Sequence, residues 1–302
     1  MPIDLPASGP PAAPAFSLPW PRPGSPRTPP VHDVVLEQIL GAARSELGTA
    51  SSSVFLIDLT TRRMAGFGAD LPFSAASVIK VPLMVEVLKQ VEAGKLSLDR
   101  TCEILRENWT ESYEDVLKVG DRRTVSELVD LMIAKSDNVA TNTLVDVVDR
   151  TRLNRTMADL GWPEIHLVRK LSGDTPVEGQ LPPGNHVTAR SITELLCAIA
   201  EGRLVSPVAS ARMREWLLRN EDSTKIVAGL PAGTRAFHKT GEHSRATHDA
   251  GIFEVGGHTL VLSVLTTRGD SEAASRAIAS FTTHVLRDLG LTPARGPERT
   301  SP

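Results

Sequence analysis

Two groups of strand-like segments at opposite ends of this chain restrict its fold more than any other feature. Near the start, SSVFLIDL (residues 52–59) reads as a strand, and the polar turn Thr60-Thr61-Arg62-Arg63 leads back through MAGFGA. Near the end, DAGIFEV and HTLVLSVLTT flank Gly256-Gly257, a strong two-residue hairpin signal because such turns need positive φ at both positions. Between them, residues 77–220 carry helical periodicity, in stretches such as VPLMVEVLKQVEAGKL, TVSELVDLMIAK and TARSITELLCAIAEG. Strands and helices are thus segregated. The pattern implies an α+β fold, with an antiparallel sheet built from both chain ends, flanked by helices, and an inserted all-helical domain. The flanking helices are expected in VHDVVLEQILGAARSEL, where Val34, Val35, Ile39, Leu40 and Ala43 recur at helical spacing, and in EAASRAIASFTTHVLRDL.

Residues 1–31 hold half of the chain's 22 prolines and read as a Pro-rich disordered tail, with residues 291–302 as a second flexible end. The folded unit is expected over residues 32–290, its α/β part at about 32–75 and 221–290 and its helical part at about 76–220. A chain that is 41% hydrophobic and 23% charged is an ordinary globular protein. A net charge of −3 with no basic stripe argues against nucleic acid and anionic lipid as partners. No stretch offers the roughly 20 apolar residues of a membrane span. The first thirty residues lack a basic and then apolar leader, so the expectation is a cytoplasmic protein. Cys102 and Cys197 form no metal or redox pattern and read as two reduced, buried thiols, with one disulfide as the other option. His238, His243 and His248 recur every five residues, a spacing that shares no helix or strand face, so no metal site is expected.

Three short polar motifs carry the chemistry. Ser77 and Lys80 stand three apart with apolar residues between and around them. On a helix they are neighbours, and a lysine desolvated by such surroundings can take the proton that a serine must lose to become a nucleophile. Ser74 reads as the N-cap of that helix, and Pro82 as a bend just beyond the pair. Ser136-Asp137-Asn138 falls at a corner between two helical stretches. By itself it reads as a capped corner, or as a hydroxyl that relays a proton beside an amide that holds Lys80 and a substrate carbonyl. Lys239-Thr240-Gly241 ends the strand-like TRAFHKTG and offers a cation, a hydroxyl and a close-approach glycine to a substrate carboxylate.

Ser-x-x-Lys, Ser-Asp-Asn and Lys-Thr-Gly in this order are the signature of class A β-lactamases and penicillin-binding proteins. From about residue 33 to residue 290 the chain resembles this β-lactamase-like superfamily of serine hydrolases. The resemblance implies the β-lactamase/transpeptidase-like fold, a small-molecule substrate and no metal or organic cofactor. It implies that Ser77 is acylated, Lys80 shares or takes its proton, Ser136 passes a proton to the leaving nitrogen, and Asn138 holds Lys80 and substrate. Lys239, Thr240 and Gly241 would receive the substrate carboxylate. The oxyanion hole would be the backbone N–H groups of Ser77 and Glu242.

One departure matters. The Arg-x-Glu-x-x-Leu-Asn pattern that supplies the deacylating glutamate in class A β-lactamases is missing; the corresponding stretch reads HLVRKLSGDTPVEGQLPPGNHVT. Asp174 and Glu178 are the alternative bases there. Arg245 and His248 lie near enough to the third motif to touch substrate, and Arg245 could stand in for the superfamily's carboxylate-binding arginine. The leading expectation is a serine hydrolase opening a β-lactam or related amide. The alternatives are a penicillin-binding D,D-peptidase-like protein, an acyl transferase or biosynthetic amidase with slow deacylation, or a non-catalytic ligand-binding homologue. A monomer or weak homo-oligomer is expected.

Overall fold

The computed structural model describes residues 29–48, 50–110, 116–171, 184–267 and 271–292. Most of the two expected tails, together with Asp174 and Glu178, lies outside these residues. In chain order the elements begin with β1 (Val31–His32), α1 (Val34–Ala43), β2 (Ser52–Asp58), β3 (Arg63–Phe67) and β4 (Phe73–Ser74). The middle comprises α2 (Lys80–Glu92), β5 (Thr101–Glu103), β6 (Arg122–Thr124), α3 (Val125–Ala134), α4 (Asn138–Val148), α5 (Arg150–Asp159), β7 (His186–Val187), α6 (Ala189–Ala200) and α7 (Pro207–Leu217). The chain closes with β8 (Arg235–His243), β9 (Ala246–Val255), β10 (His258–Thr266) and α8 (Ser271–Asp288).

Six strands form the main sheet in the order β1-β3-β2-β10-β9-β8, so the two chain ends meet where β2 pairs antiparallel with β10. Period-two alternation sorts their side chains into two cores. Val54 and Leu56 of β2, Leu260, Leu262 and Val264 of β10, and Phe253 of β9 pack with α1 and α8 on one face. Phe55, Ile57, Val261, Leu265 and Ile252 point the other way into the larger core shared with the helical layer. The β9–β10 turn is the expected one, with Gly256 and Gly257 at φ 57° and 80°.

Two expectations shift. In α1 the buried residues are Leu36, Leu40 and Ala43, while Val34 and Val35 are about 60% exposed. Asp33 caps this helix by accepting from Leu36 N–H at 2.7 Å, which sets the phase of the stripe that faces the sheet. The helical middle of the chain also contributes one helix to the sheet layer. Helix α6 lies on the sheet, where Thr193 Oγ1 bonds Ser263 Oγ (2.8 Å) and the Phe55 carbonyl (3.2 Å). The sheet is therefore covered on both faces, and α2 packs with α3, α4, α5 and α7 into a helical layer that α7 connects to β8. Cys102 and Cys197 are buried free thiols. Among the described residues no helix is long and apolar enough to cross a membrane.

Candidate active site

Ser77 sits in a 3₁₀ turn, Ala76–Ile79, that runs directly into α2 at Lys80. In a 3₁₀ turn side chains at i and i+3 eclipse, so the two residues stack, and Lys80 Nζ lies 2.9 Å from Ser77 Oγ. The residue before the serine, Ala76, has φ 43°, a left-handed conformation that costs a non-glycine residue energy and is held by its surroundings. Part of that holding is visible: the Ala75 N–H donates to the Asn185 carbonyl at 2.8 Å and the Val78 N–H to the Ala75 carbonyl at 3.0 Å. Ser74 is not the expected cap. It belongs to β4, and its hydroxyl pairs with His243 Nε2 at 2.9 Å. Pro82 falls at the third residue of α2, where it has no N–H to give the Val78 carbonyl, and the Lys80 N–H is shared between the Ser77 and Val78 carbonyls.

Lys80 is fully buried among Val78, Ile79 and Val81, and its amine meets four oxygens. Besides Ser77 Oγ these are the Ser136 carbonyl (2.6 Å), Ser136 Oγ (3.0 Å) and Asn138 Oδ1 (2.9 Å). Burial, reinforced by the positive charge of Lys239, pushes its pKa well below the ordinary lysine range, against a smaller pull from Asp137. A neutral amine suits this cage. It donates to the Ser136 carbonyl and the Asn138 amide oxygen and keeps its lone pair for a serine hydroxyl proton. The corner that delivers these oxygens is tightly made. Ser136 has φ 56°, and Asp137, 2% exposed, caps α4 by accepting from Ala140 N–H at 2.7 Å.

The third motif lies on β8, which edges the sheet toward the Ser77 turn. Gly241 permits this close approach: a Cβ at this position would stand 3.1 Å from the backbone nitrogens of both Ser77 and Val78, tighter than an ordinary contact. Ser77 N–H is at the head of the turn, where the helical ladder supplies no acceptor. Lys239 is buried and donates to the Thr240 carbonyl at 2.9 Å. Burial brings its pKa down to about 8, with Asp222 and Asp249 opposing. Contrary to the sequence reading, β8 does not end at the glycine. Glu242 and His243 continue it, paired with Thr247 and Ala246 of β9, so EHSRATHD is the tip of a hairpin.

That hairpin separates the three histidines. His238 Nδ1 pairs with Asp249 at 2.9 Å and His243 pairs with Ser74. His248 is wholly buried, its Nε2–H donating to the Ser74 carbonyl (2.7 Å) and its Nδ1 accepting from the Thr266 N–H (3.1 Å). Burial lowers its pKa to about 4. Both nitrogens of His248 are engaged by backbone, so this imidazole braces β4 against the sheet and offers no atom to a ligand. Arg245 is an exposed residue of the hairpin turn. Among the described residues no cluster of His, Cys, Asp or Glu is arranged to hold a metal ion.

Sequence reasoning missed Lys225. It is 1% exposed in the connection from α7 to β8, with its amine 2.5 Å from Asp222 and 3.3 Å from Glu242. No motif marks it, because only the fold brings that connection beside β8. Asn142 was also missed. One turn beyond Asn138 on the same face of α4, it bonds the Leu171 N–H (2.7 Å) and carbonyl (2.8 Å). Asn185 accepts from Val168 and Arg169 N–H groups. The described residues on either side of positions 172–183 are therefore anchored, Leu171 to α4 and Asn185 to Ala75, two residues before Ser77.

Known proteins are similar to this chain over most of its length. An extended-spectrum β-lactamase of Pseudomonas aeruginosa, PER-1, is 27% identical over 223 residues, covering 68% of this chain and 70% of its own length. A β-lactamase of Streptomyces fradiae is 29% identical over 251 residues, covering 76% of this chain and 78% of its own. The crystal structure of a β-lactamase from Sphaerobacter thermophilus superposes with a TM-score of 0.78 at 27% identity, over 85% of this chain and 99% of that one. Residues 36–289 match the model of the β-lactamase enzyme family, and with a buried lysine held against a serine, the chain belongs to that family of serine hydrolases.

Proposed function

We propose that this enzyme hydrolyses β-lactams through an acyl-serine on Ser77. The observation that carries the reading is the cage around Lys80: a buried amine of depressed basicity, 2.9 Å from Ser77 Oγ and 3.0 Å from Ser136 Oγ. Lys80 takes the Ser77 proton as Oγ attacks the lactam carbonyl. Ser136, on the same amine, returns a proton to the departing nitrogen as the ring C–N bond breaks. Asn138 fixes Lys80 through its amide oxygen, which leaves the NH₂ end to donate to substrate. The N–H groups of Ser77 and Glu242 receive the oxyanion, a contribution of about 3 kcal/mol to lowering the barrier. Lys239 and Thr240 hold the group attached to the lactam nitrogen. Water then releases the acyl group with a carboxylate of the 172–183 stretch, Asp174 or Glu178, as base.

The missing Arg-x-Glu-x-x-Leu-Asn pattern supports a second reading, in which acylation is efficient and release slow, as in a penicillin-binding D,D-peptidase-like protein or an acyl transferase. Turnover of a chromogenic cephalosporin separates the two. Steady hydrolysis that vanishes in Ser77→Ala supports the lactamase. A single burst equal to the enzyme concentration supports the slow acylator, and no reaction of any kind refutes both. Asp174→Ala and Glu178→Ala identify the base, since only its loss slows release while leaving acylation intact.

A further inference from the structure

The two lysines beside Thr240 do not make a free anion site. Lys225 holds Asp222 at 2.5 Å and Glu242 at 3.3 Å, with Thr224 Oγ1 at 3.3 Å. Asp249, directly across the strand pair from Thr240, acts on both lysines while bonding His238 and the Ile226 N–H. Lys239 and Lys225 therefore face three carboxylates: Asp222, Asp249 and Glu242. Asp249 is fully buried, and Asp222 is held by Lys225 together with the Thr224 hydroxyl and N–H. Glu242 is different. It is two residues from Thr240, so the two side chains share a face of β8, and at 31% side-chain exposure its carboxylate, like that of Asp222 and unlike that of Asp249, is partly open to solvent.

Resting on the acyl-serine reading above, we propose that Glu242 is a specificity residue whose carboxylate occupies, against Lys225, the place beside Thr240 that a substrate carboxylate would take. An anionic substituent there meets a like charge and must displace Glu242 from Lys225, which costs binding. A neutral amide, or a group bearing an N–H or ammonium, finds a hydrogen-bond acceptor instead. The enzyme thus selects acyl donors whose ring-nitrogen side carries an uncharged or cationic group over those carrying a carboxylate. Exclusion by a placed like charge is an ordinary route to selectivity.

The test compares a penicillin with its own carboxamide, in the native enzyme, Glu242→Gln and Glu242→Asp. The readout is the ratio of kcat/KM for the two compounds within each protein, which is insensitive to the fraction of protein that folds. The native enzyme and Glu242→Asp should favour the carboxamide. Glu242→Gln should move the ratio toward the carboxylate by about tenfold, chiefly through KM. An unchanged ratio in Glu242→Gln, or a native preference for the carboxylate, overturns the inference while leaving the acyl-serine reading intact. Failure of both compounds to acylate Ser77 in any of the three proteins overturns that reading and this inference with it.

Discussion

Lys80 and Lys239 are two buried amines with different tasks, and their titrations should be separable in a rate profile. Neutral Lys80 is the form that can accept the Ser77 proton, so kcat/KM should fall on the acid side as Lys80 becomes protonated. The Lys239 charge helps keep Lys80 neutral, and with a pKa of about 8 its loss should produce an alkaline limb near pH 8 in the free enzyme. Lys239→Arg, which stays protonated, should keep the alkaline side flat to pH 10 at a reduced plateau. A native profile with no descent between pH 7 and 9 would contradict the assignment. At this scale the sequence was informative where chemistry is local. Ser77 and Lys80, Ser136 to Asn138, and Lys239 to Gly241 are each contiguous, and their order carried the resemblance. Lys225, Asp222 and Asp249 were invisible because their relation to Thr240 exists only once β8 and β9 have a register and the α7–β8 connection has a path. His248 misled for a related reason: nearness in sequence to the motif said nothing about which way a strand residue points.

Elements enter through the approach of β8 to the Ser77 turn. Gly241 makes that approach possible, and Gly241→Ala must push the strand from the turn or strain both. A displacement of even a fraction of an ångström separates Ser77 from its oxyanion donors and Lys239, so acylation should slow by about 100-fold. Stopped-flow acylation checks this, with the secondary structure unchanged by circular dichroism; a rate within threefold of native would show that the contact is not needed. Strand existence was legible from alternation and from Gly256-Gly257. The end of β8 was not, since a glycine after a strand-like run reads as a stop, whereas here it relieves a contact and the strand goes on to His243. The phase of α1 was equally ambiguous: its sequence carries overlapping apolar stripes, and the Asp33 cap together with packing under α8 selects Leu36, Leu40 and Ala43.

At the scale of the whole molecule, two hydrophobic cores share one sheet, and α6 is the element that joins sheet to helical layer. Buried in it is Glu194, 5% exposed, with one carboxylate oxygen accepting from Trp162 Nε1 at 3.1 Å and the other without a hydrogen-bond partner. Burial raises its pKa to about 7, against lowering by the Trp162 bond and Arg190. Between about pH 4.5 and 7 the native state therefore keeps a proton that the unfolded chain has released. Stability should fall as pH rises through that window and level off above it, by about 3 kcal/mol at most. Glu194→Gln should flatten the dependence, read from chemical denaturation at pH 5 and pH 8; an unchanged slope would contradict it. Segregation of strands and helices made this architecture readable from the chain, but the seat of α6 on the sheet was hidden because a helix buried on both sides has no clean polar face to announce it. The fold serves the account's central claim, that Ser77 is the acylated nucleophile. The most direct test is to quench the enzyme during turnover of a penicillin, digest it and map the added mass. The account predicts one acyl group on the peptide holding Ser77, absent in Ser77→Ala; hydrolysis with no adduct, or an adduct on any other residue, would contradict it.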